Sequence, residues 1–181
     1  MGDGIVVVDV ETQERSVGPF GGWRRPRLAV AVTFHEATGC YRAYSEAEVE
    51  DLLAVLRRAD LVVGFAVRSF DYWVLEHYGG VFLRTVATLD ILEEVQVRLH
   101  RSVGLHHLSV ATLGRGKSAG WWQMVRWWRQ GRVDRVVEYC RTDVELTWNL
   151  YEFGRRNGYI RYWDTLGRLR ELPVDWRSRE L

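Results

Sequence analysis

The run Ile5-Val6-Val7-Val8-Asp9-Val10 constrains this chain most. It is β-branched and almost continuously apolar, the pattern of a strand covered on both faces. It ends in two carboxylates, Asp9 and Glu11, two residues apart and so on one face of the strand. A charge at the end of a buried strand is costly unless it is paired or holds a metal. Two adjacent carboxylates also raise each other's pKa, a cost that a divalent cation removes. An ordinary strand end facing water fits the same residues, and the motif alone leaves both readings open.

The pattern after this strand alternates between the two periods. A Gly- and Pro-containing loop leads to a predicted strand over 27–35, and a turn at Thr38-Gly39 to another over Cys40–Tyr44. Ser45 and Glu48 form a capping box ahead of the amphipathic run Glu48–Asp60. Leu61–Phe65 reads as a fourth strand, Ser69–Tyr78 as a helix stopped at Gly79-Gly80, and Thr85–Asp90 as a fifth strand running into a helix over Ile91–His100. Helices are expected over 105–113, about 119–129, and Val133–Arg156, the last closed by Asn157-Gly158. The segment 159–176 suggests an extended tail or a hairpin around Thr165-Leu166-Gly167. Three strands in a meander followed by alternating helices and strands predict an α/β fold with a mixed central sheet flanked by helices.

Two further carboxylates stand where a site would need them. Asp71 follows the fourth strand, in what reads as the first turn of a helix, where the dipole favours an acid in any case. Asp143 lies inside the long helix, four residues after Tyr139 and on its face. A solvent-facing polar stripe explains Tyr139, Asp143 and Thr147 equally well when the helix is taken alone.

The ordered set VVVDVET, VGFAVRSFD and YCRTD resembles the three exonuclease motifs of the DEDD nuclease superfamily, each in the matching strand or helix context. Tyr139 four residues before Asp143 is the DEDDy spacing; the DEDDh variant would have His at position 138, where this chain has Glu138. TLDIL, ATLGRGKS, the Trp-rich helix and YEFGRRNGY resemble a small bacterial group of ribonuclease H-like DEDDy proteins sometimes found beside helicase domains. The resemblance covers about residues 4–160. It implies a ribonuclease H-like exonuclease domain over 1–160, with 161–181 packing on it as a tail or hairpin. One departure is Ala66, where that group carries Asn five residues before the motif Asp; this bears on substrate positioning, since the four acids are complete.

The resemblance implies a 3′→5′ exonuclease using two Mg²⁺ or Mn²⁺ ions, a pair that can serve both ends of an in-line phosphodiester displacement. Asp9 would bridge both ions, Asp143 would hold the ion that activates water, and Glu11 and Asp71 would complete the set, Asp71 through water. Tyr139 would orient the attacking water; a phenol with a pKa near 10 is a poor general base. The implied partner is single-stranded DNA or RNA, with a helicase or repair protein as a candidate protein partner. Candidate nucleic-acid contacts are Thr12 and Phe70 beside the motif acids, Arg24 and Arg25 in a basic loop, and Trp122 with Arg126 on the second face of the Trp-rich helix. That face also reads as a Trp covered by arginine stems, and the basic loop as merely solvated. A binding or regulatory module that has lost activity, and an endonuclease, are the rival functions.

Composition excludes little beyond this. The 181 residues, 47% hydrophobic and 27% charged, suit one globular domain with a real core. No apolar run reaches the roughly 20 residues of a membrane span, the start lacks the basic patch of a signal peptide, and Cys40 and Cys140 form no CxxC, so a reducing cytoplasm is expected. The net charge of +1 creates no global field for nucleic acid. Lys117, the only lysine, lies in Gly114-Arg115-Gly116-Lys117-Ser118. A phosphate-binding P-loop would need Gly at 111, where Ala111 stands, and a strand before it. His106-His107 has no partner at metal spacing and reads as a surface or cap pair.

Overall fold

A computed structural model of the chain describes residues 4–14, 26–117 and 119–177. Five strands form one mixed sheet: β1 (Ile5–Thr12), β2 (Leu28–His35), β3 (Cys40–Ser45), β4 (Leu61–Gly64) and β5 (Thr88–Asp90), in spatial order β3-β2-β1-β4-β5. The meander β1-β2-β3 is antiparallel, while β4 runs parallel to β1, and β5 to β4. The expected α/β sheet is therefore present, with the continuous apolar run of β1 at its centre.

Helices cover both faces, and the alternation of β1 assigns residues to them. Val6, Val8 and Val10 face α1 (Val49–Arg58), α2 (Tyr72–Leu75) and the segment around Leu83. Ile5 and Val7 face α3 (Ile91–Leu99), α4 (Leu105–Leu113), α5 (Trp121–Arg129) and the long α6 (Val133–Asn157). On α6 the stripe Val136, Tyr139, Cys140, Asp143, Val144, Leu146, Thr147, Leu150 and Tyr151 is buried, the spacing of one helical face. Asp9 and Glu11 continue the Ile5-Val7 face, so the same alternation that builds the core points both carboxylates at α6.

The capping box forms: the Ser45 amide donates to the Glu48 carboxylate at 2.9 Å, ahead of a short 3-10 turn that leads into α1. The expected helix over 69–78 is broken instead. Val67–Asp71 is a π turn, α2 spans four residues, and 3-10 turns occupy Glu76–Tyr78 and Gly80–Thr85. Gly79 at φ 91 ends the helical course, and at Gly80 a Cβ would meet the Leu75 carbonyl oxygen at 2.8 Å. The 3-10 turn through Thr85 also shortens the expected strand over 85–90 to Thr88–Asp90.

After α6 the chain forms a hairpin of β6 (Tyr159–Trp163) and β7 (Leu169–Pro173). Asp164 closes its turn by accepting from the Leu166 and Arg168 amides, both at 2.9 Å. The Thr112 hydroxyl donates to the Arg161 carbonyl and accepts from its amide, fixing the hairpin on α4. Fully buried Trp176 stacks on Tyr151 at 5.9 Å between centroids. Burial of one Trp side chain is worth roughly 5 kcal/mol before entropy is counted. Among the described residues, no helix is long and apolar enough to cross a membrane.

Candidate metal centre

β1 outruns its parallel neighbour. Pairing with β4 ends at Val7↔Val63, whereas pairing with β2 continues through Asp9↔Val32 and Glu11↔Val30. The carboxylates therefore stand beyond the C-terminal end of β4, in the crevice where open α/β sheets place ligands. The wall of that crevice is α6, which offers Tyr139, Cys140 and Asp143 on one face.

Asp9, Glu11 and Asp143 each offer a carboxylate oxygen within 4.8 Å of the others. Glu11 and Asp143 are buried and Asp9 is partly exposed. Burial, reinforced by the charge of Asp143, lifts Asp9 to about 7; the Lys117 cation and the Cys140 thiol oppose the rise. Glu11 is pushed well above the carboxylate range, by burial first and then by Asp9 and Asp143. Burial also raises Asp143, against the pull of Lys117.

Asp71 arrives from the turn after β4 and lies outside that set of three. Its carboxyl is buried, and it too is held well above the ordinary range, first by burial and then by the charge of Asp9. The turn that delivers it is clamped by Asp90, which accepts from the Ala66 amide at 2.9 Å and the Arg68 amide at 3.0 Å while also capping α3. Ala66 itself is left-handed, with φ 63, a conformation in which Asn is among the better-tolerated residues.

Two buried carboxylate oxygens, Asp71 Oδ1 and Asp143 Oδ1, have no hydrogen-bond partner among the described residues. Unpartnered buried acceptors of this kind are rare and costly. Hard, anionic oxygens gathered from strand, turn and helix match the ligand preference of a divalent cation such as Mg²⁺ or Mn²⁺. The donor set fits the ion.

Tyr139 is buried, and its phenol is raised by that burial and by Asp143, so its hydroxyl keeps its proton and can only donate or accept hydrogen bonds. Cys140 Sγ sits 3.3 Å from Asp9 Oδ2 and from the Asp9 carbonyl.

Sequence reasoning missed Lys117. Its Nζ lies 2.5 Å from Asp143 Oδ2 and 5.5 Å from the centroid of the Tyr139 ring. The glycine-rich segment fails the P-loop pattern, and the signal it does carry is the sole lysine beside two glycines after a helix. Gly114 is the left-handed C-cap of α4 at φ 73, and a Cβ on Gly116 would meet Val110 at 2.6 Å and His106 at 2.7 Å.

The expected nucleic-acid contacts are scattered. Thr12 is buried, with its hydroxyl donating to the Glu14 carbonyl, and Phe70 packs partly against the α1-side core. Trp122 and Arg126 lie on the solvent face of α5, Trp122 being 72% exposed. Arg24 and Arg25 lie outside the described residues. His106 and His107 are exposed, as expected of a surface pair.

No protein-family model and no curated protein matches this sequence. Among solved structures, the family B DNA polymerase from the hyperthermophilic archaeon Pyrobaculum calidifontis is similar, with a TM-score of 0.59 at 14% identity over 83% of this chain. The fold is ribonuclease H-like. The match takes in 24% of the polymerase chain, so this protein spans about a quarter of that molecule's length. At this identity the likeness speaks for the fold, and the ribonuclease H-like sheet places its carboxylates by the strand register described above.

Proposed function

We propose that this protein is a divalent-metal-dependent 3′→5′ exonuclease acting on single-stranded DNA or RNA. The observation that carries the reading is the convergence of Asp9, Glu11 and Asp143 within 4.8 Å in a ribonuclease H-like sheet, with buried carboxylate oxygens of Asp143 and Asp71 left without partners among the described residues. Asp9, Glu11 and Asp143 would hold Mg²⁺ or Mn²⁺, with Asp71 completing a site for two ions. Bound there, the ions supply Lewis-acid stabilisation of phosphoryl charge and a lowered pKa for water. Tyr139, which keeps its proton, orients the attacking water by hydrogen bonding and does not act as a base. The four acids and the tyrosine form the DEDDy pattern, and that resemblance supplies the direction of attack.

The buried position of the acids favours a strand end that can enter singly. Unpairing a duplex end costs a few kcal/mol, so single strands and frayed ends are the preferred substrates, and a helicase or repair protein is the proposed source of them. Exposed Trp122 and Arg126 offer a stacking ring and a phosphate-binding guanidinium on α5.

A digestion panel of 5′-labelled single- and double-stranded DNA and RNA, with Mg²⁺, Mn²⁺ or EDTA, tests this. A ladder shortening from the 3′ side, blocked by a 3′ cap and by EDTA, is expected. Cleavage of a closed circular strand would establish an endonuclease instead. Binding without cleavage under every metal condition would establish a binding module.

A further inference from the structure

Lys117 is held in place by more than its own charge. Gly114 turns the chain out of α4, and Gly116 passes where a side chain would strike Val110 and His106. Arg115 pairs with Glu145 at 2.8 Å, fastening the same segment to α6 two residues beyond Asp143. The lysine is thus delivered by a constrained loop onto Asp143 Oδ2, with its side chain 25% exposed and that of Asp143 4% exposed. Asp143 Oδ1 stays buried and without a partner among the described residues.

We propose that Lys117 is the resident counter-ion of the acidic cluster and makes divalent-ion binding conditional on a nucleic-acid phosphate. This rests on the metal-dependent reading of the site. In the free protein the ammonium pairs with Asp143 and offsets its negative charge within the cluster, so the cluster survives without an ion. The same positive charge repels an incoming divalent cation and occupies one oxygen of a ligand carboxylate. A phosphate arriving with the substrate gives the ammonium an alternative anion, frees Asp143 Oδ2 and adds negative charge beside the ion. Metal and substrate then bind with positive coupling, which by linkage is the same whichever binds first. Lysine suits this better than the arginine used everywhere else in the chain. It is a compact point charge on a flexible stem, able to change partners without breaking a two-pronged fork.

The test is Mn²⁺ binding by calorimetry to wild type, Lys117→Gln and Lys117→Arg, with and without thymidine 5′-monophosphate, which offers a phosphate and no bond to cleave. Lys117→Gln is expected to bind Mn²⁺ about tenfold tighter than wild type when no nucleotide is present, an amount that corresponds to about 1.4 kcal/mol. Nucleotide should tighten Mn²⁺ binding most in wild type, less in Lys117→Arg and least in Lys117→Gln. A merely structural lysine would give weaker or unaltered binding on removal. Wild type that binds no Mn²⁺ sinks the metal centre and this inference together. Wild type that binds while Lys117→Gln, folded by circular dichroism, binds no tighter sinks this inference alone. A Lys117→Arg protein that behaves like Lys117→Gln overturns it as well.

Discussion

The Cys140 thiol on α6 lies 3.3 Å from a carboxylate oxygen of Asp9 on β1, joining two elements separated by 131 positions in sequence. It is fully buried, and burial followed by the Asp9 charge pushes its thiol well above the usual range. A protonated, enclosed thiol is unreactive, whereas Cys40 is exposed. A thiol reagent should therefore label one cysteine per native chain, at Cys40, and both only after unfolding; rapid native labelling of Cys140 would contradict this packing. Cys140→Ala should lower stability by about 1–3 kcal/mol through the lost donor and the small cavity, read as a shifted urea midpoint with an unchanged slope.

The acidic cluster sets a pH dependence in EDTA. Asp9 rises from an ordinary 3.8 to about 7 on folding, with burial as the main cause, and Glu11 and Asp71 move the same way. The folded protein therefore holds more protons than the unfolded chain between about pH 4 and 7. For Asp9 this contribution to stability is complete below about pH 4 and is lost as pH rises through about 7, and Glu11 and Asp71 act in the same direction. Glu46 and Asp164 have lowered values and act mainly below that window. Urea midpoints in EDTA should fall from pH 4 to 7, less steeply in Asp9→Asn. Saturating Mn²⁺ should offset the loss, since an ion at a hundred times its Kd adds about 2.7 kcal/mol. A flat profile in EDTA would mean the acids are not desolvated as described.

Ala66 is a stability deficit at the entrance to the Asp71 turn. Its left-handed backbone is pinned, because its amide donates to Asp90 and its carbonyl accepts from the Phe70 amide at 2.9 Å. An L-residue with a Cβ costs roughly 1–2 kcal/mol there, so Ala66→Gly should stabilise by about 1 kcal/mol and Ala66→Asn by less. Denaturant unfolding measures both, and a destabilised Ala66→Gly would show that the turn is not strained.

On the proposed function, a graded loss of activity should distinguish the proposed metal ligands from the proposed orienting group. Asp9→Asn and Asp143→Asn would each remove the charge of a proposed ligand and should abolish turnover. Tyr139→Phe keeps the ring packed and loses only the hydroxyl, so a reduction of about 10²-fold in kcat is expected. A silent Tyr139→Phe together with an active Asp143→Asn would break the role assignments.

By itself the sequence determined the strand-rich meander, the central place of β1 and the long α6, because each is written in local periodicity: a β-branched run, a capping box, a buried stripe at helical spacing. Strand alternation placed Asp9 with Glu11, and i, i+4 spacing placed Tyr139 with Asp143, but it was the ordered resemblance to the DEDD motifs that marked these residues, and Asp71 with them, as a set. What it could not carry was everything set by contact between distant segments. The course of 67–85 depends on Asp90 clamping amides 22 and 24 residues away, a bond with no periodic signature. The separation of Asp71 from the three converged acids depends on where that turn lands. Lys117 was invisible as a member of the site because only the docking of α4 against α6, with Gly116 passing between Val110 and His106, carries its ammonium to Asp143. Periodicity reports which face a residue occupies; the identity of what lies across that face is decided by tertiary packing alone.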